Sequence, residues 1–410
     1  MRGGDGMPMA LVALVYVGFA AMGLPEALLG ASWPAMGSGL HAPLAAVIGI
    51  SVVIAAGAMW AALAGEPWLR RWGSGRSVDV GVACTVVALL GFSFTPSYWL
   101  LLFFAVPYGV GSGLLALALN AYIALRLPSA HIIWMHATTA AGAMAGHTML
   151  GWIIANDADW RWAYRCIGLV QLALAIVLVS ATKLWRDELT PIQRATFGMQ
   201  TYGERDWRVD AHVHGRLGAS LRLRGALPTL LLLFAYASVE QSTMLWASSY
   251  MVHADHMSIH YAGIYANLFF IGLTLGSVIA GCLALRLSDG ALLGGGLGIL
   301  VAALVVMIVP MGSWRALTAP IMLGFGCAPI NPAVVHMTPR LFGAVHTMTM
   351  IGWETAVIAV ATLVSPALFA VFSATVGMAA LPWYLACFTS LGILAAVILM
   401  SVSHLQSQVR

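Results

Sequence analysis

Long apolar runs recur along the whole chain, and they constrain its fold more than any other feature of the sequence. A helix of about 20 apolar residues crosses a lipid bilayer. Because 61% of the residues are apolar and only 8% are charged, the sequence predicts an all-α polytopic membrane protein. A polar stretch, 183–224, separates six predicted spans from six more. The twelve spans lie at about 9–33, 44–64, 78–95, 98–125, 132–155, 162–182, 227–252, 260–285, 291–310, 316–338, 341–372 and 381–402.

The basic residues predict the orientation of these spans. If both termini are cytoplasmic, 16 of the 19 Arg and Lys residues lie in inner segments. The outer loops then hold only Arg161, Arg165 and Arg315. We expect a protein that crosses the inner (plasma) membrane, surrounded by lipid, with both termini in the cytoplasm. We also expect it to be a monomer. Because the basic residues are spread over loops, nucleic acid is not an expected partner.

The two sets of six spans repeat each other. Glu26 and Glu240 are 214 residues apart, as are Arg126 and Arg340. The pattern Gly-x-Gly occurs at Gly109 and again 215 residues later. This near-constant offset predicts a duplicated unit. We expect an N-terminal six-helix bundle at 1–182, a cytoplasmic linker at 183–226 and a C-terminal six-helix bundle at 227–410.

One carboxylate, Glu26, lies late in the first apolar run. A charge at that depth is costly unless it is paired, protonated or in contact with water, so it indicates a functional site. Pro25 directly before it removes a backbone donor and loosens the helix. Broken helices beside a buried charge are typical of transporter sites near the middle of the bilayer.

Short patterns over nearly the whole chain carry a family resemblance. The first half contains Gly23-Leu-Pro-Glu26, Leu69-Arg-Arg-Trp-Gly73 and Gly109-Val-Gly-Ser-Gly113. The second half contains Leu323-Gly-Phe-Gly326 and Thr338-Pro-Arg340-Leu-Phe-Gly343. With these residues the chain resembles the major facilitator superfamily, and more narrowly its fucose permease-like branch of sugar:proton symporters. The resemblance implies two pseudo-symmetric six-helix bundles that give alternating access to one site.

The resemblance also implies a cytoplasmic gate formed by arginines of the inner segments. The Asp that usually accompanies the arginines between spans 2 and 3 is missing, since Leu69 or Arg70 stands near its place. A latch based on that Asp is therefore not expected. The predicted gate residues are Arg70, Arg71, Arg76, Arg126, Arg286 and Arg340.

Three carboxylates lie well inside predicted spans, and no Arg or Lys lies in the middle of one. An acid held in a low dielectric without a cation can carry a proton near neutral pH, so Glu26 is the candidate proton-coupling residue. The alternative is a protonated Glu bonded to a neighbouring helix. Glu240 is predicted to accept a hydrogen bond from the substrate, unless it joins the two halves instead. For Glu354 a substrate contact and a structural role are equally supported.

Further polar and aromatic residues complete the predicted site. His136 is a second candidate for proton coupling, although a neutral His bonded to a carbonyl or hydroxyl fits the same position. Asn120 lies in span 4, where relatives use a carboxylate, and it can both donate and accept hydrogen bonds. Trp246 can stack on a sugar face. The substrate-binding set is Glu26, Asn120, His136, Glu240, Gln241, Trp246, Asn331 and Glu354.

No cofactor or enzymatic activity is expected from this sequence. The motifs His-Glu-x-x-His and Gly-x-Ser-x-Gly are absent. His253, His256 and His260 surround Asp255, but their loop is short and exposed, so no metal is expected. The five cysteines stand singly in apolar runs. The expected coupling ion is H⁺.

Two functions remain open from the sequence. The first is a secondary transporter that moves a small neutral polar solute, a sugar, by proton symport. The second is a proton-coupled exporter of hydrophobic cations, which unpaired carboxylates and aromatic residues would also serve. The Gly-Pro pair common in drug antiporters is Gly146-His147 here, which counts against export. The absence of basic residues in mid-span counts against a dedicated carrier of organic anions.

Overall fold

A computed structural model describes residues 9–26, 28–42, 46–156, 158–185, 220–254, 257, 268–309 and 314–409. Within these ranges the chain is helical and has no β-strand. Short 3-10 helices at Thr182–Leu184 and Met378–Ala380 lie between α-helices. The α-helices are α1 Met9–Gly23, α2 Leu28–Gly39, α3 Ala46–Ala64, α4 Glu66–Phe94, α5 Tyr98–Arg126, α6 Ser129–Ala155, α7 Arg161–Ser180, α8 Ala226–His253, α9 Leu268–Leu283, α10 Asp289–Ile308, α11 Trp314–Cys327, α12 Ile330–Val376 and α13 Leu381–Val409.

The helices have the length and surface of membrane spans. Eight helical stretches in the described ranges are long and apolar enough to cross a membrane. One of them, Trp314–Val376, is 63 residues long, which is enough for two crossings. Large apolar side chains such as Val87, Phe103, Ile176 and Val371 are more than half exposed. Such an apolar exterior is expected where helices contact lipid.

Several span boundaries differ from the prediction. The first predicted span is two helices, α1 and α2, and the second of them continues to Gly39. The expected loop before span 3 is helical from Glu66, and Gly73 bends α4 with a φ of 82°. Span 10 is interrupted after Cys327, and α12 joins its second part to span 11 through Gly343, with a φ of 76°. Glycine adopts a positive φ without steric cost, so both helices change direction at these points without a loop.

Contacts between Cα atoms divide the chain into two compact units. Unit 1 comprises Met1–Arg126, Thr138–His214 and Ala344–Ala356. Unit 2 comprises Leu127–Ala137, Gly215–Gly343 and Val357–Arg410. Each unit therefore contains most of one sequence half and a short segment of the other. The division into bundles at a 183–226 linker stays a prediction, and 186–219 lies outside the described residues.

Helix packing inside the two units repeats with the sequence offset. In unit 1, α5 packs against α3 and α4, and in unit 2, α11 packs against α9 and α10. Glycines at these crossings let the backbones approach closely. The repeated contacts, with counterparts 215 residues apart, are Gly109 at the Ile54 carbonyl and Gly324 at the Phe269 carbonyl, then Gly111 with Gly81 and Gly326 with Gly296.

We predict that Gly296→Ala lowers the thermal stability of the purified protein, whereas Gly294→Ala does not. A Cβ atom at Gly296 would lie 2.7 Å from the Gly326 carbonyl oxygen and 2.8 Å from Cγ of Pro329. Overpacking of this kind costs about 1–3 kcal/mol. Gly294 lies on the same helix, and a Cβ there would meet nothing within 4 Å. Thermal unfolding in detergent measures both variants, and equal melting temperatures would contradict the described α10–α11 contact.

Candidate transport site

The first span is broken at Glu26. Helix α1 ends at Gly23, α2 begins at Leu28, and the residues between them form a turn. The Glu26 amide donates to the Gly23 carbonyl at 3.0 Å, and the Leu28 amide donates to the Pro25 carbonyl at 3.2 Å. The Glu26 side chain is exposed. Its carboxylate forms no ion pair or hydrogen bond with another described residue.

Side chains from α6 and α7 hold this break in place. A helix end leaves its last carbonyls without amide partners, which is costly in lipid. Thr139 donates its hydroxyl to the Phe19 carbonyl at 3.0 Å. Gln171 donates its side-chain amide to the Ala21 carbonyl and accepts from the Thr85 hydroxyl at 3.0 Å. Gln171 therefore satisfies one of the carbonyls left free at the end of α1, and sequence reasoning did not find this residue.

Glycines bring α1 and α6 into close contact beside the break. A Cβ atom added at Gly23, Gly142 or Gly146 would collide with a backbone carbonyl of the facing segment. Such contacts are typical of helices that pack through small residues in membranes. The contacts are Gly23 at the Thr139 carbonyl, Gly142 at the Ala20 carbonyl and Gly146 at the Leu24 carbonyl.

Two other predicted site residues lie in unit 1 with Glu26. Asn120 on α5 is 9% exposed, and its Oδ1 atom has no hydrogen-bond partner among the described residues. Glu354 is 2% exposed and lies on the segment of α12 that belongs to unit 1. Two residues earlier, Gly352 packs against the Ala62 carbonyl of α3. Glu354 is therefore enclosed by helix packing, whereas Glu26 is open to solvent.

The remaining predicted site residues lie in unit 2. Glu240 on α8 is half-buried. Gln241 and Asn331 are also half-buried. His136, half-buried on the first part of α6, belongs to unit 2 and not to the unit of Glu26.

Trp246 already has protein partners. Its indole N–H donates to the Pro366 carbonyl at 3.0 Å, and its ring lies edge-on to Phe369 with centroids 5.8 Å apart. These contacts join α8 to α12. The predicted stacking of Trp246 on a sugar face stays a prediction.

A buried acidic cluster at the start of α4 was missed by the sequence reasoning. Glu66 pairs with Arg70, whose Nε and terminal nitrogen donate to Oε1 at 2.9 Å and 2.7 Å. The hydroxyl of Thr349 donates to Oε2, and Arg70 also donates to the Val345 carbonyl at 3.1 Å. The usual Asp is missing near these arginines, as the sequence indicated, and Glu66, four residues before Arg70, pairs with Arg70 instead. The i,i+4 spacing of the two residues was the available signal.

A second cluster surrounds Asp289 in the first turn of α10. The Ser129 hydroxyl donates to Oδ1 at 2.6 Å, and Nδ1 of His336 lies 2.8 Å from Oδ2. Arg340, a predicted gate residue, lies 3.6 Å from the same oxygen. In both clusters a buried acid near a helix start contacts a hydroxyl and at least one basic side chain.

The other predicted gate arginines differ in their surroundings. The guanidinium of Arg126 lies over the Tyr122 ring, 4.1 Å from its centroid. Arg71, Arg76 and Arg286 are exposed and form no ion pair with the residues that the structure describes. Among the predicted gate arginines, Arg70 and Arg340 each contact an acid within the described ranges.

Metal-binding residues are not clustered in the described ranges. No group of three His, Cys, Asp or Glu side chains is close enough there to hold an ion. His253 contacts the Ser249 carbonyl at 2.9 Å through Nδ1. Asp255, His256 and His260 lie outside the described residues.

A broken first span within repeated helical units is typical of secondary transporters. Comparison with solved structures identifies the fold. The proton:xylose symporter XylE, bound to 6-bromo-6-deoxy-D-glucose, is 14% identical over 96% of this chain and 95% of its own, with a TM-score of 0.75. The E. coli fucose:proton symporter FucP is 13% identical over 95% of this chain and 98% of its own, with a TM-score of 0.74. The human organic anion transporter MFSD10 is 16% identical over 95% and 98%, with a TM-score of 0.65.

These similarities confirm the predicted fold class. The fold of this chain matches those of solved major facilitator superfamily transporters, as the sequence resemblance implied. No family model matches the chain, and no curated protein matches it. At these identities the solved structures establish the fold alone.

We predict that Glu66→Gln lowers the melting temperature. The mostly buried Arg70 then loses its ion pair with Glu66 and keeps only weaker hydrogen bonds. Loss of one partner from a buried pair costs several kcal/mol, and partial exposure reduces this to about 1–3 kcal/mol. Asp159→Asn is the matched control, because the Asp159–Arg161 pair is more exposed and exposed pairs contribute little. Equal melting temperatures for the two variants would contradict a stabilising role for the Glu66 cluster.

Proposed function

We propose that this protein is a secondary transporter that moves a small neutral polar solute, a sugar, across the plasma membrane by proton symport. One observation carries the proposal. Glu26 lies at the break between α1 and α2, and it is open to solvent and has no cationic partner among the described residues. An acid in this setting can bind a proton from one side and release it to the other. We therefore assign proton coupling to Glu26.

The charge distribution supports a neutral substrate. In the described helices every Arg and Lys lies near a helix end or near the bends at Gly73 and Gly343. A carrier of organic anions, as the name of MFSD10 indicates, needs a positive charge near the substrate. The names of XylE and FucP state proton symport with sugars, and they support the sugar assignment. Asn120, Glu240, Gln241 and Asn331 would supply hydrogen bonds to hydroxyl groups.

The two acidic clusters fit a cytoplasmic gate in an alternating-access cycle. Glu66 and Asp289 each contact a residue from the other half of the sequence, Thr349 and Ser129 respectively. Contacts of this kind must break if the halves move apart on the cytoplasmic side. We assign Arg70 and Arg340 to this gate, together with the two acids.

We predict that Glu26→Gln abolishes uphill uptake but keeps counterflow exchange. Glutamine keeps the size and hydrogen-bonding ability of the side chain but cannot bind and release a proton. The assay uses proteoliposomes with an inward proton gradient and radiolabelled D-xylose, L-fucose and D-glucose as probes. Asp159→Asn is the control carboxylate and should accumulate the probe as the parent does. Proton-driven accumulation by Glu26→Gln would remove Glu26 from the coupling mechanism.

The same proteoliposomes distinguish the alternative function, a proton-coupled exporter of hydrophobic cations. A sugar symporter alkalinises a weakly buffered medium when its substrate is added, because protons enter with the solute. An exporter causes no pH change when any of the sugars is added. It instead expels tetraphenylphosphonium against a concentration gradient. Export of the cation with no response to any sugar would favour the alternative.

We predict that Glu240→Gln weakens the affinity for the transported sugar and leaves proton-driven accumulation intact. Replacing the charged acceptor by a neutral amide weakens its hydrogen bond to a hydroxyl, by about tenfold if 1–1.5 kcal/mol is lost. Glu240→Asp, which keeps the charge, should retain more affinity than Glu240→Gln. Affinity is measured from the concentration dependence of counterflow, and an unchanged value would assign Glu240 a structural role.

A further inference from the structure

Pro25 leaves one carbonyl of α1 without its usual helix donor. In an α-helix the amide of residue i donates to the carbonyl of residue i−4. Proline has no amide hydrogen, and its ring also crowds the i−4 carbonyl. The carbonyl affected by Pro25 is that of Ala21, which is fully buried in the last turn of α1. A buried carbonyl without a donor is costly, so this one needs a replacement partner.

The Gln171 side chain on α7 supplies that donor. Its Nε2 atom donates to the Ala21 carbonyl, and its Oε1 atom accepts from the Thr85 hydroxyl on α4 at 3.0 Å. Both Gln171 and Thr85 are buried. A carbonyl can only accept, so it requires the nitrogen of the amide, and the amide oxygen then faces a hydroxyl that can donate. The Gln171 amide therefore has one orientation in which both of its ends are bonded.

A second side-chain bond to α1 differs in one respect. The Thr139 hydroxyl donates to the Phe19 carbonyl at 3.0 Å. The residue four positions after Phe19 is Gly23, which lies within α1 and keeps its amide. The Thr139 bond is therefore added to a carbonyl that has a backbone donor available. The Gln171 bond instead substitutes for a backbone donor that is missing.

The end of α1 is also the start of the turn that carries Glu26. The Glu26 amide donates to the Gly23 carbonyl at 3.0 Å, two residues after Ala21, and Glu26 directly follows Pro25. The position of the last turn of α1 therefore sets the position of the Glu26 backbone. Through this short stretch of chain, the Gln171 bond acts on Glu26.

We propose that Gln171 is a positioning residue for Glu26, because its side-chain amide takes the place of the backbone donor that Pro25 removes and so holds the end of α1. Thr85 orients the Gln171 amide for this role. The inference rests on the proposed function of Glu26 in proton coupling. Gln171 itself exchanges no proton, and it acts only through the backbone between Ala21 and Glu26.

A rescue experiment on the purified full chain tests whether Gln171 replaces the missing donor. Gln171→Met keeps a side chain of similar size that cannot donate, so it should lower the melting temperature in detergent. Pro25→Ala restores an amide four residues after Ala21, so Gln171→Met should cost much less in the Pro25→Ala background. Thr139→Val is the control, and its cost should be the same in both backgrounds. An equal cost of Gln171→Met with and without Pro25→Ala would overturn the inference.

Infrared difference spectroscopy in lipid tests the positioning role without a known substrate. The spectra compare high and low pH, and the C=O stretch that is missing in Glu26→Gln belongs to protonated Glu26. A loosened turn places this carboxyl in several environments, so the band should broaden in Gln171→Met and narrow again when Pro25→Ala is added. Gly296→Ala is the control, because it perturbs helix packing in unit 2 and should leave the band unchanged.

The outcomes separate this inference from the proposed function. If no band disappears in Glu26→Gln, Glu26 does not carry the proton, and both proposals fall. If the band is present but keeps its width in Gln171→Met, only the role of Gln171 is overturned. Equal broadening in Gly296→Ala would also overturn that role, since general loosening would then explain the change. Should Gln171→Met not fold, Thr85→Val takes its place, with a smaller broadening expected, and an unchanged band again overturns the assignment.

Discussion

Every carbonyl and amide of the backbone must find a partner inside the protein wherever lipid surrounds the chain, and the break in the first span depends on this constraint. The break ends one helix and starts another inside an apolar run that is predicted to cross the membrane. Thr139 and Gln171 supply hydrogen bonds from neighbouring helices, and the turn amides supply others. The Gln171 and turn-amide bonds satisfy carbonyls at the end of α1, so Glu26 can lie in an irregular stretch of unit 1.

Features that depend on local sequence or on the internal repeat were predicted well. Apolar length predicted the helices, and the constant offset predicted the repeated packing of glycines such as Gly111 and Gly326. Pro25 predicted the break because a missing amide donor acts locally. Gly73 and Gly343 belong to the sequence patterns that carry the family resemblance. In the structure both residues adopt a positive φ, which favours glycine at these positions. Helix boundaries were less accurate, because hydropathy does not record where a helix continues beyond the lipid.

Contacts between residues far apart in the sequence were not predicted. Glu66 and Thr349 are 283 positions apart, and Ser129 and Asp289 are 160 positions apart, so no local pattern connects them. Trp246 was singled out for its spacing from Glu240, which gave no sign that its N–H donates to the Pro366 carbonyl. Predicting such residues requires knowledge of which helix faces meet.

The hydrogen bonds at the break also bear on the choice of coupling ion. Carriers that use sodium bind it with carbonyl oxygens released by unwound helices. Here carbonyls at the break already accept bonds, from the Thr139 hydroxyl at Phe19, the Leu24 amide at Ala20, the Gln171 amide at Ala21, the Glu26 amide at Gly23 and the Leu28 amide at Pro25. An alkali cation would have to share these oxygens with the donors already bonded to them, whereas a proton needs only one carboxyl oxygen. The proposed coupling to protons at Glu26 therefore leaves the hydrogen bonds of the interrupted helix intact.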